Sequence, residues 1–309
     1  MKLVRTEDAV GQVLCHDITQ IIPGVVKDAV FRKGHIVTKE DIPVLLSVGK
    51  ENLYIWEKQE GMLHENEAAE ILRQICQGEH MHPSEVKEGK IELIADCEGV
   101  LKINTEKLNA VNNLGEMMIA SRHGNFPVKT GDKIAGTRII PLVIEEEKMQ
   151  KACEVAGKEP IFRILPYQKK KAGIVTTGSE VYYHRIEDKF TPVVIEKLKE
   201  CGVTEVKQIQ CNDDHEMIME AIQTLIEDGS DLIVCTGGMS VDPDDRTPLA
   251  IKNACTEVVT YGAPVLPGAM FMLAYCEKEG RQIPVMGLPG CVMYAKRTIF
   301  DLALPRLLA

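Results

Sequence analysis

Short apolar runs alternate with helical segments over residues 171–309, and this alternation limits the folds open to the chain more than any other feature. Strands that alternate with helices at this spacing imply right-handed β-α-β crossovers and a mainly parallel sheet. We therefore predict a C-terminal three-layer α/β/α domain of the α/β class. Its strands are predicted at residues 172–178, 203–210, 231–236, 257–261 and 284–288, and its helices at residues 192–202, 213–226, 247–254 and 291–302.

The preceding residues show strand patterns without regularly spaced helices, which predicts an α+β, strand-rich N-terminal region. Three parts are expected: a small subdomain at 1–60, an α+β domain with a linker helix at 61–165, and the α/β domain at 166–309. Strands are predicted at residues 11–18, 29–37, 53–56, 91–103 and 125–144, and helices at residues 39–49 (capped by Thr38), 64–77, 108–120 and 145–160.

Composition narrows the class of protein. A chain of 309 residues has room for two or three compact units, and its net charge of −10 argues against a general role on nucleic acid or membrane surfaces. No run approaches the roughly 20 apolar residues of a membrane span, and the N-terminus lacks an apolar signal core. The ten cysteines form no C-x-x-C pair, which is typical of a reducing compartment. We expect a cytoplasmic protein without nucleic-acid or membrane partners.

Four polar or glycine-rich segments follow predicted strands of the α/β domain. In a doubly wound sheet, ligands bind beyond the carboxyl ends of the strands, so these segments predict one ligand crevice. They are residues 176–180 (TTGSE), 212–214 (NDD), 236–248 (TGGMSVDPDDRTP) and 287–290 (GLPG).

The third of these segments predicts an anion site. The turn Gly237-Gly238 has no bulky side chains, and a helix is predicted to start after it, with Thr247 as the cap and Pro248 at the first helical position. Backbone N–H groups at such a helix start can bind an anionic ligand. The same loop holds three aspartates, which would repel one another without a cation or solvent, so we predict a divalent cation with the phosphate. They are Asp242, Asp244 and Asp245.

Plainer explanations stay open for several polar residues. Asn212 or Asp213 is also placed to cap the helix that follows it, and Asp188 to cap its own helix. Glu180 can be a solvated loop residue, and the glycine pair can serve only to bring helix and strand close together. Capping accounts for one of the three clustered aspartates, not for all of them.

These segments resemble the motifs of the molybdopterin-binding domain of molybdenum cofactor biosynthesis. That domain family occurs in molybdopterin adenylyltransferase, in molybdopterin molybdenumtransferase and in gephyrin. The resemblance covers about residues 171–309. It rests on TTGSE, on the ND-D-H start of a helix at residue 212, on GGMSVDPDDRTP, on PGAMF and on GLPG.

The resemblance implies roles for individual residues. Asp213, Asp245 and Glu180 would be catalytic, and Asp245, Glu180 and Asp214 would be ligands of Mg²⁺. Contacts to the pterin phosphate or adenylate would come from the small and polar residues of the four loops and of PGAMF. These are Thr177, Gly178, Ser179, Asp188, Gly237, Gly238, Ser240, Pro267, Gly268, Pro289 and Gly290.

The resemblance also implies a function: molybdopterin binding by a divergent molybdenumtransferase, which acts on adenylyl-molybdopterin with Mg²⁺ and inserts molybdate. The retained acidic residues favour an enzyme. Ala269 stands where the family has a basic residue, and Cys291-Val292 where it has an Asn-Pro pair. These departures favour an alternative, a non-catalytic molybdopterin carrier, chaperone or sensor. A third interpretation is a nucleotide-processing hydrolase on the same domain, as in competence-damage-type proteins.

The implied ligand is a small pterin phosphate or nucleotide. Members of the family are commonly dimers or trimers, so the resemblance also implies a homo-oligomer. A molybdoenzyme or another protein of the cofactor pathway is the implied protein partner.

Overall fold

The computed structural model describes residues 2–22, 26–55, 60–168 and 171–309 of the protein. Contacts divide the chain into two compact units. The first comprises Met1–Ile94, Ile103–Arg122 and Lys133–Arg163, and the second comprises Ala95–Lys102, His123–Asp132 and Ile164–Ala309. Among the described residues, no helix is both long enough and apolar enough to cross a membrane.

The elements before residue 167 are short and mostly strands, as the sequence predicts. In chain order they are β1 (Lys2–Arg5), β2 (Ile18–Ile22), β3 (Val26–Phe31), α1 (Asp41–Ser47), β4 (Asn52–Ile55), β5 (Met62–His64), α2 (Glu65–Cys76), β6 (Met81–Pro83), β7 (Lys90–Ala95), β8 (Gly99–Ile103), α3 (Thr105–Asn112), β9 (Met117–Ser121), β10 (Pro127–Val128), β11 (Lys133–Ile139), β12 (Val143–Glu145), α4 (Glu146–Ala156) and β13 (Phe162–Pro166). The strands form small sheets in the orders β1-β4, β2-β3, β12-β5, β6-β7-β11-β9 and β10-β8-β13.

Helix α2 begins with a capping box. His64 Nδ1 accepts a hydrogen bond from the backbone N–H of Asn66 at 3.1 Å, and the Glu67 carboxylate accepts one from the His64 N–H at 2.9 Å. These bonds satisfy donors that a helix start leaves without partners. His64 Nε2 lies 2.6 Å from the carbonyl oxygen of Cys15, so the neutral ring donates there and accepts at Nδ1.

Two predictions for the first unit are wrong. Of the segment predicted as a strand at residues 11–18, only Ile18 lies in a strand, as the first residue of β2, and Val13 and Leu14 form isolated bridges. The helix predicted over residues 108–120 ends at Asn112, because the chain turns and continues as strand β9. The Asn112 side chain stabilises this reversal by hydrogen bonds to both the N–H and the carbonyl of Ile119.

Two smaller differences concern the first sixty residues. The helix predicted after Thr38 starts at Asp41, and Thr38 does not cap it with its own oxygen. Instead the Asp41 carboxylate accepts hydrogen bonds from the Thr38 N–H and hydroxyl at 2.8 and 2.9 Å. Strand β3 ends at Phe31, short of its predicted end at residue 37. Trp56, predicted to end the next strand, lies outside the described residues.

The chain from residue 171 onward, which is described without a gap, forms the predicted α/β domain. Its elements alternate between strands and helices up to residue 261 and end with a β-hairpin and a helix. They are β14 (Lys171–Thr176), α5 (Ser179–Tyr182), α6 (Phe190–Glu200), β15 (Glu205–Gln210), α7 (His215–Glu227), β16 (Leu232–Thr236), α8 (Thr247–Ala254), β17 (Glu257–Tyr261), β18 (Met272–Lys278), β19 (Arg281–Leu288) and α9 (Ile299–Leu308).

Within this domain the strands form a six-stranded sheet in the order β15-β14-β16-β19-β18-β17. The pairs β15-β14, β14-β16 and β16-β19 are parallel, and β18 is antiparallel to both of its neighbours. The predicted mainly parallel sheet is therefore confirmed. Strand β18 was not predicted, and it makes the far side of the sheet antiparallel.

Two apolar clusters cover the two faces of this sheet, which gives three layers. Neighbouring strand residues alternate between the clusters, because successive side chains of a strand point to opposite faces. One cluster joins Val175, Ile233 and Cys235 to α7 and α8 through Ile222, Leu225, Ala250 and Ile251. The other joins Ile174, Val234 and Met286 to α6 and α9 through Val194, Leu198, Phe300 and Leu304.

The last helix starts later than predicted. Residues 291–302 were expected to be helical, but Gly290–Met293 forms a 3-10 turn and α9 begins at Ile299. Thr298 and Asp301 form a capping box that sets this start, since the Thr298 hydroxyl accepts from the Phe300 N–H and the Asp301 carboxylate accepts from the Thr298 N–H.

Candidate functional site

The carboxyl ends of four neighbouring parallel strands meet at one edge of the sheet. β15, β14, β16 and β19 lie side by side in the same direction, so the loops that follow them share that edge. Pro267 and Gly268 reach the same edge, because Met272 at the start of β18 pairs with Gly287 near the end of β19. The topology thus brings together all the loops in which site residues are predicted.

The turn after β16 requires glycine at two positions. Gly237 has a φ of +87° and Gly238 a φ of +55°. A Cβ on Gly237 would lie 2.4 Å from the carbonyl oxygen of Thr177, and one on Gly238 would lie 2.7 Å from Oγ1 of Thr247. The first loop, the third loop and the start of α8 therefore approach one another too closely for any side chain at these positions.

Buried threonines hold this turn in place. Thr177 donates to the carbonyl oxygen of Thr236 from its N–H at 2.8 Å and from its hydroxyl at 3.1 Å. Oγ1 of Thr177 also lies 3.1 Å from Oγ1 of Thr247. The Thr177 side chain, predicted to contact the ligand, is thus engaged in joining two loops. The Thr236 hydroxyl is buried without a hydrogen-bond partner among the described residues, which leaves it available to a water or ligand group.

The predicted cap of α8 is wrong. Arg246 occupies the N-cap position without a side-chain hydrogen bond, and Thr247 is the first helical residue. Its hydroxyl faces Thr177 instead of the helix N–H groups, so Pro248 is the second helical residue rather than the first. Within residues 171–309 the N-terminus of α8 consequently carries no side-chain cap.

Asp188 does cap its helix. Its Oδ1 accepts from the N–H groups of Phe190 and Thr191, at 2.9 and 3.0 Å, and its Oδ2 accepts from Nε2 of Gln208 at 3.0 Å. Burial raises the pKa of Asp188, but the hydrogen bonds from Thr191, Phe190 and Gln208 outweigh it and hold the pKa below its usual value. Both oxygens of this predicted ligand contact are therefore engaged with protein donors.

Asp214, rather than Asn212 or Asp213, caps α7. Its Oδ1 accepts from the N–H groups of Glu216 and Met217, each at 3.0 Å. A carboxylate thus accepts hydrogen bonds from the first N–H groups of α6 and of α7, whereas within residues 171–309 no side chain does so at α8. The partial positive charge at the N-terminus of α8 stays free to attract an anion.

Two predicted catalytic aspartates each keep one free oxygen. Asp245 Oδ2 accepts from the Ser240 N–H at 2.8 Å, which closes the acidic loop on itself. Asp213 Oδ2 accepts from the Ser179 N–H at 2.8 Å, which ties the second loop to the first. The other oxygen of each carboxylate has no hydrogen bond among the described residues. Glu180 is exposed in the short helix α5, directly after the first loop.

The predicted metal ligands do not form a ready-made cage. No group of three His, Cys, Asp or Glu side chains that could hold a metal ion occurs among the described residues, which include Asp245, Glu180 and Asp214. Mg²⁺ commonly binds through one or two carboxylates together with substrate phosphates and waters. The carboxylates here fit a metal that arrives with a phosphate ligand, and Asp214 is already engaged as a cap.

The remaining glycine-containing motifs differ in their surroundings. Gly268 packs against the start of α9, since a Cβ there would lie 2.4 Å from Cγ2 of Ile299, and Pro267 accepts a hydrogen bond from the Ile299 N–H. Pro289 is buried, whereas a Cβ on Gly290 would meet open space. Gly178 has a φ of +126°, and a Cβ there would lie 3.0 Å from Oε1 of Glu180.

Sequence reasoning missed two residues that shape this edge. The Tyr261 hydroxyl donates to the carbonyl oxygen of Met239 at 3.2 Å, and burial together with the charge of Asp245 raises the pKa of Tyr261. The Met239 side chain lies over the backbone of β19, where a Cβ on Gly287 would be 2.5 Å from its sulfur. A glycine inside a strand signals such a close approach, but nothing in the sequence marks Tyr261.

The fold and the site together define the class of protein. This is a doubly wound α/β domain whose ligand edge carries a glycine turn and an uncapped helix N-terminus, which suits a phosphate-bearing ligand. Residues 173–309 match the family model described as a probable molybdopterin binding domain. The resemblance predicted from the motifs is confirmed. Residues 3–57 match a second family model, described only as a domain of unknown function.

Individual relatives match shorter parts of the chain. The CinA-like protein of Mycobacterium tuberculosis (strain ATCC 25618 / H37Rv) is 35% identical over 85 residues, which are 28% of this chain and 20% of that protein. The CinA-like protein of Mycobacterium avium (strain 104) is 34% identical over 95 residues, 31% of this chain and 22% of that protein. The match thus spans about a fifth of the length of these curated relatives.

Solved structures match as well. The tungsten cofactor synthesizing protein MoaB from Pyrococcus furiosus is 21% identical, with a TM-score of 0.37, and the match covers 45% of this chain and 91% of that one. A molybdenum cofactor biosynthesis protein from the same organism is 15% identical, with a TM-score of 0.29, and the match covers 100% of this chain and 63% of that one.

Proposed function

We propose that the chain binds molybdopterin, free or as its adenylate, at the loop between β16 and α8. We propose further that it is a divergent molybdenumtransferase that acts on adenylyl-molybdopterin with Mg²⁺. The observation that carries this proposal is the uncapped N-terminus of α8 beside the turn Gly237-Gly238. In contrast, the carboxylates of Asp188 and Asp214 already occupy the N-termini of α6 and α7.

The phosphate of the ligand is the group that this N-terminus suits best. The first backbone N–H groups of a helix have no partner within the helix and carry partial positive charge. The two glycines allow the turn to pack closely against Thr177 and against Thr247 at the start of α8. A phosphate bound here would accept hydrogen bonds from these N–H groups, as phosphates do at other helix N-termini.

Asp245 and Glu180 are the proposed ligands of Mg²⁺, and Asp213 is proposed to position the substrate. Asp245 and Asp213 suit these roles because each uses one carboxylate oxygen to hold loop backbone, Asp245 within its own loop and Asp213 in the first loop, and keeps the other oxygen free. When bound, Mg²⁺ neutralises charge on phosphate groups and orients them. The protein's own contribution is to hold both carboxylates at the edge where the phosphate binds.

The test is release of AMP from adenylyl-molybdopterin by the full chain, with and without Mg²⁺ and molybdate. We expect Mg²⁺-dependent release by the wild type and its loss in Asp245→Asn. Asp244→Asn is the matched control, because Asp244 is an exposed aspartate one position away. Equal activity of Asp245→Asn and the wild type would refute the assignment of Asp245.

Two observations favour other functions. Ala269 is exposed where the family has a basic residue, and this favours a molybdopterin carrier, chaperone or sensor. Tight binding of adenylyl-molybdopterin without AMP release would establish that alternative.

The similarity to CinA-like proteins favours a nucleotide-processing hydrolase. Binding and hydrolysis of a nucleotide by a chain that does not bind molybdopterin would establish that one.

A further inference from the structure

A pair of thiols lies at the opposite end of α8 from the candidate site. Sγ of Cys255, the C-cap residue of α8, is 2.7 Å from Sγ of Cys276 on β18. Both cysteines are free thiols. A disulfide bond is about 2.05 Å long, so the two sulfurs have to approach by well under 1 Å to bond. The two residues are far apart in the chain, and the strand pairing of β17 with β18 brings them together.

The two thiols differ in access to solvent. Cys276 is only 5% exposed, whereas Cys255 is partly exposed at the end of its helix. The Cys276 thiol also lies 3.4 Å from the carbonyl oxygen of Ala254, which orients it toward the helix end. A small oxidant therefore reaches the pair from the side of Cys255, which is already in contact with Cys276 as the resolving thiol.

From this geometry we propose that Cys255 and Cys276 are an oxidisable dithiol, a covalent modification site at which a hydroperoxide forms a disulfide between α8 and β18. The Cys276 thiolate attacks one peroxide oxygen, the O–O bond breaks, and Cys276 becomes a sulfenic acid while the other oxygen takes the proton released by Cys276 and leaves as water. The Cys255 sulfur then attacks the Cys276 sulfur, the S–O bond breaks, and the departing oxygen takes the Cys255 proton and leaves as a second water. Two thiols and hydrogen peroxide thus give one disulfide and two waters.

The hydrogen bond between the two sulfurs prepares this reaction. It stabilises a thiolate on the accepting sulfur, and this contact lowers the pKa of Cys276. The same contact raises the pKa of Cys255, so the shared proton stays on Cys255 and Cys276 carries the thiolate. The lone cysteine Cys153 is exposed but has no such partner thiol, so it offers an internal reference.

The experiment treats the reduced full-length protein with hydrogen peroxide, blocks the remaining thiols under denaturing conditions, and maps the peptides by mass spectrometry. We expect a linked peptide that contains Cys255 and Cys276, formed about tenfold faster than Cys153 is oxidised. Dithiothreitol should restore both thiols. The proposal would be overturned if both cysteines remain free thiols after peroxide treatment and react with the blocking reagent. A linked peptide that joins two different chains would also overturn it.

Three variants sharpen this test. Cys255→Ala and Cys276→Ala should each abolish the linked peptide, and Cys153→Ala should leave its formation unchanged. A linked peptide that persists with another cysteine in either of the first two variants would contradict the assignment. Because the wild-type peptide map decides the question by itself, the proposal stays testable if one of these buried variants does not fold. The result of the wild-type peptide map is also independent of whether the chain binds molybdopterin.

Discussion

Replacing Gly237 by alanine should destabilise the C-terminal domain for two separable reasons. The first is backbone strain, because φ is +87° and an alanine there costs about 1 kcal/mol. The second is crowding, because the new Cβ would lie 2.4 Å from the Thr177 carbonyl oxygen. That oxygen belongs to a backbone held by the hydrogen bonds between Thr177 and Thr236, so it cannot move freely, and the added crowding costs about 1–3 kcal/mol.

Gly229 supplies a matched control for the strain alone. Its φ is +85°, nearly that of Gly237, and nothing lies within 4 Å of the position that a Cβ would take. We expect Gly229→Ala to lower the free energy of unfolding by about 1 kcal/mol and Gly237→Ala by about 2–4 kcal/mol. Urea denaturation followed by far-UV circular dichroism measures both. Equal losses in the two variants would refute the close approach of the loops and with it this account of the turn.

Two further predictions concern polar groups at helix starts. Asp214→Ala should lower the free energy of unfolding by about 1 kcal/mol, because α7 loses its cap, and should leave any Mg²⁺ dependence of ligand binding unchanged. Loss of that dependence in a binding titration would instead identify Asp214 as a metal ligand. Burial lowers the pKa of His64 from its ordinary value of 6.5, so the folded state binds fewer protons than the unfolded state. Stability should therefore fall as the pH drops below about 6.5, and His64→Asn, which still caps but does not titrate, should show a shallower fall in urea denaturation between pH 7 and 5. Identical pH profiles would exclude His64 as the cause.

The fold class of the C-terminal domain follows from a pattern that is local in the sequence. Each strand and helix from residue 171 to 261 has its own periodicity and its own Gly or Pro boundary, so the alternation can be recognised without knowing any tertiary contact. Strand β18 was missed because its hairpin turns at Glu279-Gly280, which is not a strong turn signal, and Glu279 adopts a positive φ of +51°. The start of α9 was misplaced because it depends on the Thr298 and Asp301 capping box rather than on apolar spacing.

The candidate site was predictable in outline, but the use of individual side chains was not. Loops that follow parallel strands must share an edge, so the convergence of the four loops follows from the topology. In contrast, Asn212, Asp213 and Asp214 are equally able to cap a helix, and only the first turn of α7 selects Asp214. The role of Thr247 depends on Thr177, which is 70 residues away in the sequence. Contacts between residues so far apart in the sequence cannot be recognised from a local sequence pattern.

The affinity of the full chain for molybdopterin, measured beside its affinity for the dephosphorylated pterin, tests the central claim most directly. The claim is that the turn Gly237-Gly238 and the uncapped N-terminus of α8 bind the phosphate of the ligand. Charge-assisted hydrogen bonds to backbone N–H groups contribute at least about 1.4 kcal/mol, so removal of the phosphate should weaken binding at least about tenfold. Equal affinities for the two pterins, or no binding of either, would contradict the account.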